Sequence, residues 1–102
     1  MSRMAKPVYR EKVSGKMWVD VESLPVRDLF LYEDSDGYSA AVKASKRKGV
    51  TLYRVVARLA IGKSTDEVLT AIATSKAKAV TTAKKFVAQE RLAHGDNRRV
   101  ER

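Results

Sequence analysis

The chain has 102 residues, 44% of them hydrophobic, no cysteine, and a formal net charge of +9. That length supports one compact core and not two, and the composition excludes a disulfide framework and a thiolate zinc site. The amino terminus, MSRMAKPVYREKV, lacks an apolar run and a cleavage site, and no segment approaches a membrane span, so the expectation is a soluble, unprocessed protein of a reducing cytoplasm.

Val8 to Val13 and Met17 to Val21 flank Ser14-Gly15, and the second run alternates Met17, Val19, Val21 with Trp18, Asp20, Glu22. Period-two alternation about a Ser-Gly turn predicts a β-hairpin over 8–22 with one buried face, leaning on helices because two strands alone are marginal in water. Trp18 is expected as a packing anchor between hairpin and helices rather than as a platform for a base. Ser23-Leu24-Pro25 then predicts a short helix over about 24–32, with Val26, Leu29 and Phe30 facing inward. The acidic run Glu33-Asp34-Ser35-Asp36-Gly37 ends it as a solvated turn. A calcium loop would need an oxygen ligand where Tyr32 stands and a glutamate at the twelfth position.

A second helix is predicted over 38–48, with Ala40, Ala41 and Ala44 small enough for another helix to approach. Lys43, Lys46, Arg47 and Lys48 crowd its carboxyl end, where cations suit the helix dipole. Gly49 can take the left-handed backbone that ends a helix, and Thr51 can cap the next. From 51 to 61, Leu52, Val55, Val56 and Leu59 stand at i, i+3, i+4 and i+7, one stripe of a helix whose other face carries Tyr53, Arg54, Ala57 and Arg58. The spacing of Gly49-Val50-Thr51, Val55, Arg58-Leu59, Gly62, Ser64, Glu67 and Leu69 resembles a helix-turn-helix segment that recurs in phage regulators and in accessory domains of homing endonucleases. The likeness covers about residues 49–69, and it departs from that pattern at Arg54, Lys63 and Val68. It implies a recognition helix that enters a DNA major groove.

Gly62 is expected to close that helix, and Ser64-Thr65-Asp66-Glu67 to form a capping box for the next, over 65–93. That span is one long helix or two that bend near Thr74-Ser75. Val80, Ala83, Phe86 and Val87 share a face, which serves either a dimer interface or packing on its own domain. Gly95 is expected to stop the helix, and 96–102 is expected as a flexible basic tail. The fold class expected is therefore mainly α with a small N-terminal β-hairpin: a single helix-turn-helix domain, 1–95, with a long C-terminal helix.

Catalytic patterns fail on mechanism. Ala57 to Gly62-Lys63-Ser64 fits a relaxed phosphate loop, but that chemistry needs a strand before a glycine-rich loop and a helix after it. His94, the only histidine, has no nucleophile or carboxylate at a useful spacing. No enzyme activity, cofactor or metal is expected. Residues 1–40 carry six basic and seven acidic side chains, whereas 41–102 carry fifteen and five, so the positive field belongs to the second part. The expectation is a sequence-specific double-stranded DNA-binding protein, a phage or mobile-element transcriptional regulator acting as a homodimer in the host cytoplasm. Thr51, Tyr53, Arg54 and Arg58 would read bases, and Lys43, Lys46, Arg47, Lys48 and Lys63 would hold the DNA backbone. The alternative is a small adaptor that binds a host protein through its basic helical face.

Overall fold

A computed structural model of the chain describes residues 6–94. Ser14 and Gly15 turn the chain between β1, Tyr9–Lys12, and β2, Met17–Leu24, which pair antiparallel from Tyr9↔Val21 to Lys12↔Trp18. The turn closes through Val13 N–H on the Met17 carbonyl at 2.8 Å. Met17, Val19 and Val21 are buried as their alternation requires, but Asp20 and Glu22, on the other face, are buried too.

The segment expected as a recognition helix is a strand. β3, Leu52–Ile61, lies antiparallel against β2 from Met17↔Leu59 to Leu24↔Leu52, and against β4, Ser64–Ala73, on its other side. The sheet order is β1-β2-β3-β4, a four-stranded antiparallel meander. The molecule is thus an α/β fold built on this sheet, not a mainly α helix-turn-helix domain. Val55 and Val56 explain why: neighbours in sequence point to opposite faces of a strand, and both are fully buried. A central strand covered on both faces loses its polar alternation, and its apolar run also fits a helical stripe. Gly62, with φ 59, and Lys63 form the two-residue turn between Ile61 and Ser64, so neither a helix end nor a capping box exists there. Between Ala57↔Leu69 and Arg58↔Glu67 the register slips by one, leaving Val68 as the extra residue of a β-bulge.

After β2 comes a 3-10 helix, Val26–Tyr32, and then α1, Tyr38–Ser45, three residues shorter than the helix expected to reach 48. Three residues per turn put Val26, Leu29 and Tyr32 in one column, and the middle one docks: Leu29 is buried, while Val26 and Phe30, both expected inside, are exposed. Ala41 and Ala44 of α1 pack with Leu24, Leu29, Leu52 and Ile72 over one end of the sheet, so the small residues admit a sheet rather than a helix. Gly37 precedes α1 with φ 87, and a Cβ there would run into the Ile72 carbonyl oxygen. The same approach lets Ile72 N–H donate to the Asp36 carbonyl at 2.8 Å, which fastens α1 to the edge of β4.

α2, Lys76–His94, takes the second half of the long helix expected over 65–93, the first half being β4. Ser75 caps it, accepting Lys78 N–H at 3.2 Å. Its Ala79, Ala83 and Val87 pack on Met17, Val19, Val21, Val55, Ala57, Ala71 and Ala73, the face of the sheet opposite α1. Among the described residues no helix is long and apolar enough to cross a membrane. The expected stop at Gly95 and the tail 96–102 lie outside the described residues.

Candidate functional site

Strand geometry sends Arg54 and Arg58, expected on an exposed helix front, to the sheet face shared by Asp20 and Glu22. Arg58 Nη1 donates to Asp20 Oδ2 at 2.7 Å and Glu22 Oε2 at 2.9 Å, and Nη2 to Glu67 Oε2 at 3.1 Å. Its side chain retains 7% exposure. Arg54 Nε donates to Glu22 Oε1 at 2.8 Å, its Nη1 to the Tyr32 hydroxyl, and its guanidinium lies over the Tyr32 ring. At the margin Arg10 forks onto both Asp20 oxygens, at 2.6 and 3.1 Å, with its guanidinium 5.6 Å from the centre of the Trp18 ring. Trp18 Nε1 also donates to Asp20 Oδ2, at 3.2 Å, which places the tryptophan in this ionic cluster instead of against the helices.

The cluster is electrically balanced, three guanidiniums to three carboxylates. Burial alone pushes the Glu22 carboxyl up, but hydrogen bonds from Arg58 and Arg54 outweigh it and hold the group below the usual glutamate range. Desolvation likewise works against the Arg58 charge, and the pairs with Glu22, Glu67 and Asp20 overcome it, raising Arg58 above the ordinary arginine value. Among the described residues every buried side-chain polar atom has a hydrogen-bond partner. An open cleft of about 410 Å³ runs over the cluster past Arg10, Trp18, Thr65 and Glu67. Among the described residues its floor has no uncommitted cation for a phosphate or a base edge, so Arg54 and Arg58 lack the free guanidinium that base reading requires. Of the other two expected readers, Tyr53 packs against the core beneath α2, and Thr51 stands exposed in the link before β3.

The backbone-contact set fares differently. Lys43, Lys46, Arg47 and Lys48 are all exposed at the end of α1 and just beyond it. Lys43 and Arg47 meet Lys78 of α2 across a groove of about 340 Å³, floored by Ala40, Ala44 and Thr74. Lys43 lies in the last turn of α1 and Arg47 two residues beyond its end, its N–H donating to the Ala44 carbonyl at 3.0 Å. A shallow continuation along α2 is lined by Lys78, Thr81, Thr82 and Lys85. Among the described residues no carboxylate lines either surface. Lys63, at the β3–β4 turn, is not brought to them: β3 alone separates it from α1 by about 30 Å at 3.3 Å per residue.

The expected dimer stripe is taken up by the molecule itself, since Ala83 and Val87 are buried against the sheet and Phe86 packs beside them, with Val80 half-buried. Sequence reasoning missed Asp20, Glu22 and Glu67 as partners of the arginines. The available signal was two acids at alternate positions of one predicted strand and two arginines four apart, a spacing that one strand face also satisfies. Lys78 and Thr74 were missed because the groove depends on α2 starting at 76. Among the described residues no group of three or more His, Cys, Asp or Glu side chains could hold a metal ion. Comparison with protein-family models, with curated proteins and with solved structures finds no match for this chain.

Proposed function

We propose that this protein binds double-stranded DNA through its phosphate backbone, using the groove between α1 and α2. One observation carries the reading: Lys43 of α1, Arg47 just beyond it and Lys78 of α2 converge on a groove that, among the described residues, no carboxylate lines. Lys43 and Arg47 at the end of α1 and Lys78 on α2 would track successive phosphates without first releasing an ion pair among the described residues. The charge surplus of residues 41–102 adds a field that speeds encounter with any polyanion. Recognition through this surface is indifferent to base sequence, because Arg54 and Arg58 are engaged with Asp20, Glu22 and Glu67.

The test is a salt titration of binding to a random-sequence duplex, read by fluorescence anisotropy. Each phosphate contact contributes about 0.9 to the slope of log affinity against log salt, so the Lys43→Ala, Arg47→Ala, Lys78→Ala triple variant is expected to lower the slope by about 2.7 and weaken binding at least tenfold at about 50 mM salt. An unchanged slope in the triple variant would move the contact elsewhere. Absence of binding by the wild type at that salt would overturn the proposal and favour an acidic protein as the partner of the same groove. Preference for an RNA duplex over DNA would correct the identity of the polyanion.

A further inference from the structure

The 3-10 helix carries a surface of a different character from the basic groove. With three residues per turn, Leu31 stacks on Asp28 and Phe30 on Arg27, and Glu33 and Asp34 follow in the turn just after the helix. Phe30 is 65% and Leu31 63% exposed, and of the four charged side chains next to them in sequence three are acidic, Asp28, Glu33 and Asp34, and one is basic, Arg27, so the surroundings are acidic on balance. No ion pair engages Asp28, Glu33 or Asp34 among the described residues.

The chain also presents the complement of this patch. On the outer face of α2, Ala88 and Leu92 lie four apart, and Lys84 and Lys85 one turn before them, all exposed. Leu92 is 60% exposed, and neither lysine engages a carboxylate among the described residues. The two patches cannot meet within one molecule. The 3-10 helix follows Leu24 and shares the core of the α1 face, whereas α2 packs on the other face and runs to the opposite end, where Arg91 Nη2 donates to the Lys12 carbonyl at 2.9 Å. Lys12 pairs with Trp18, six residues or about 20 Å along β2 from Leu24.

We propose that the protein associates head to tail with a second copy of itself, the Phe30–Leu31 patch of one seated on the Ala88–Leu92 face of the next. Opposite charges frame the two apolar contacts, which fixes their orientation. A symmetric contact of the 3-10 patch with itself would set Asp28, Glu33 and Asp34 against their own copies, a like-charge cost that the head-to-tail arrangement avoids. The contact is heterologous, since each copy keeps one unused patch of each kind and further copies can add. It shares Lys85 with the shallow continuation of the basic groove but uses none of Lys43, Arg47 and Lys78, and its test contains no nucleic acid.

Sedimentation velocity up to about 1 mM chain reads it. The weight-average mass of the wild type is expected to rise with concentration to at least twice 11.4 kDa, and to fall back as salt is added. Leu31→Lys places a cation against Lys84 and Lys85, and Leu92→Glu an anion against Asp28, Glu33 and Asp34. Each variant alone is expected to stay monomeric, with an unchanged circular dichroism spectrum because both side chains are exposed. Mixed, they are expected to form a 1:1 dimer, one supplying its intact Ala88–Leu92 face and the other its intact Phe30–Leu31 patch. A wild type that remains monomeric throughout overturns the proposal and leaves the patch to a different protein. Association of Leu92→Glu alone overturns it in favour of symmetric pairing, and a mixture that fails to dimerise overturns it as well.

Discussion

The two faces of the sheet are built from the same strands and held by opposite physics. Beneath α2, Val19, Val21 and Val55 meet a helix through Ala57, Ala71, Ala73, Ala79 and Ala83, small residues that bring backbone layers close and leave little room for error. On the other face, beyond the reach of α1, Asp20, Glu22 and Arg58 are buried under no helix; they exclude water by covering one another. The first face depends on fit, and both loss and gain of volume cost stability there. The second depends on charge balance and tolerates no unpaired member.

Removing one member of the ionic face gives the largest expected effect. Arg58→Ala leaves Asp20 and Glu22 desolvated without their shared cation, and a loss of about 3–5 kcal/mol in urea unfolding is expected. A loss below about 1 kcal/mol would mean that Arg10 and Arg54 carry the balance unaided. Overfilling the apolar face comes next: Ala83→Leu forces α2 away from Val55 and Ala57 and is expected to cost about 1–3 kcal/mol by the same measurement. Acid gives the smallest effect. Glu22 has a folded value below the unfolded one, so its contribution is complete above about pH 4.3 and is lost as pH falls through the depressed value. Stability measured against pH should therefore fall on that acid limb, and Glu22→Gln should flatten part of the fall. Equal slopes in the two proteins would shift the acid sensitivity to other carboxylates.

These faces were unequally legible in the amino-acid order. β2 could be read because one of its faces is apolar and the other polar, and the Ser14-Gly15 turn marks its start. The amphipathic half of α2, from Val80 to Val87, was legible for the same reason. β3 was not, because Leu52, Val55, Val56 and Leu59 serve a helix stripe and a two-sided strand equally well, and the arginines four apart suit both periods. Ser64 and Glu67 have the spacing of a capping box, yet Gly62 and Lys63 make a hairpin turn two residues earlier, and pairing with β3 settles the conformation. The cations near the end of α1 were legible as a charged group. Their convergence with Lys78 was not, since it arises only when Ser75 starts a helix across from them.

The slipped register at Val68 decides which side chain Arg58 meets. Carried on without interruption, the pairing Ala57↔Leu69 would set Arg58 beside Val68 and turn Glu67 toward the alanines. One surplus residue reverses the phase of the strand, delivering the third carboxylate to the guanidinium and sending the valine outward, where it is 44% exposed. Neutrality of a charge cluster drawn from β1, β2, β3 and β4 thus hangs on a counting irregularity in the last of them.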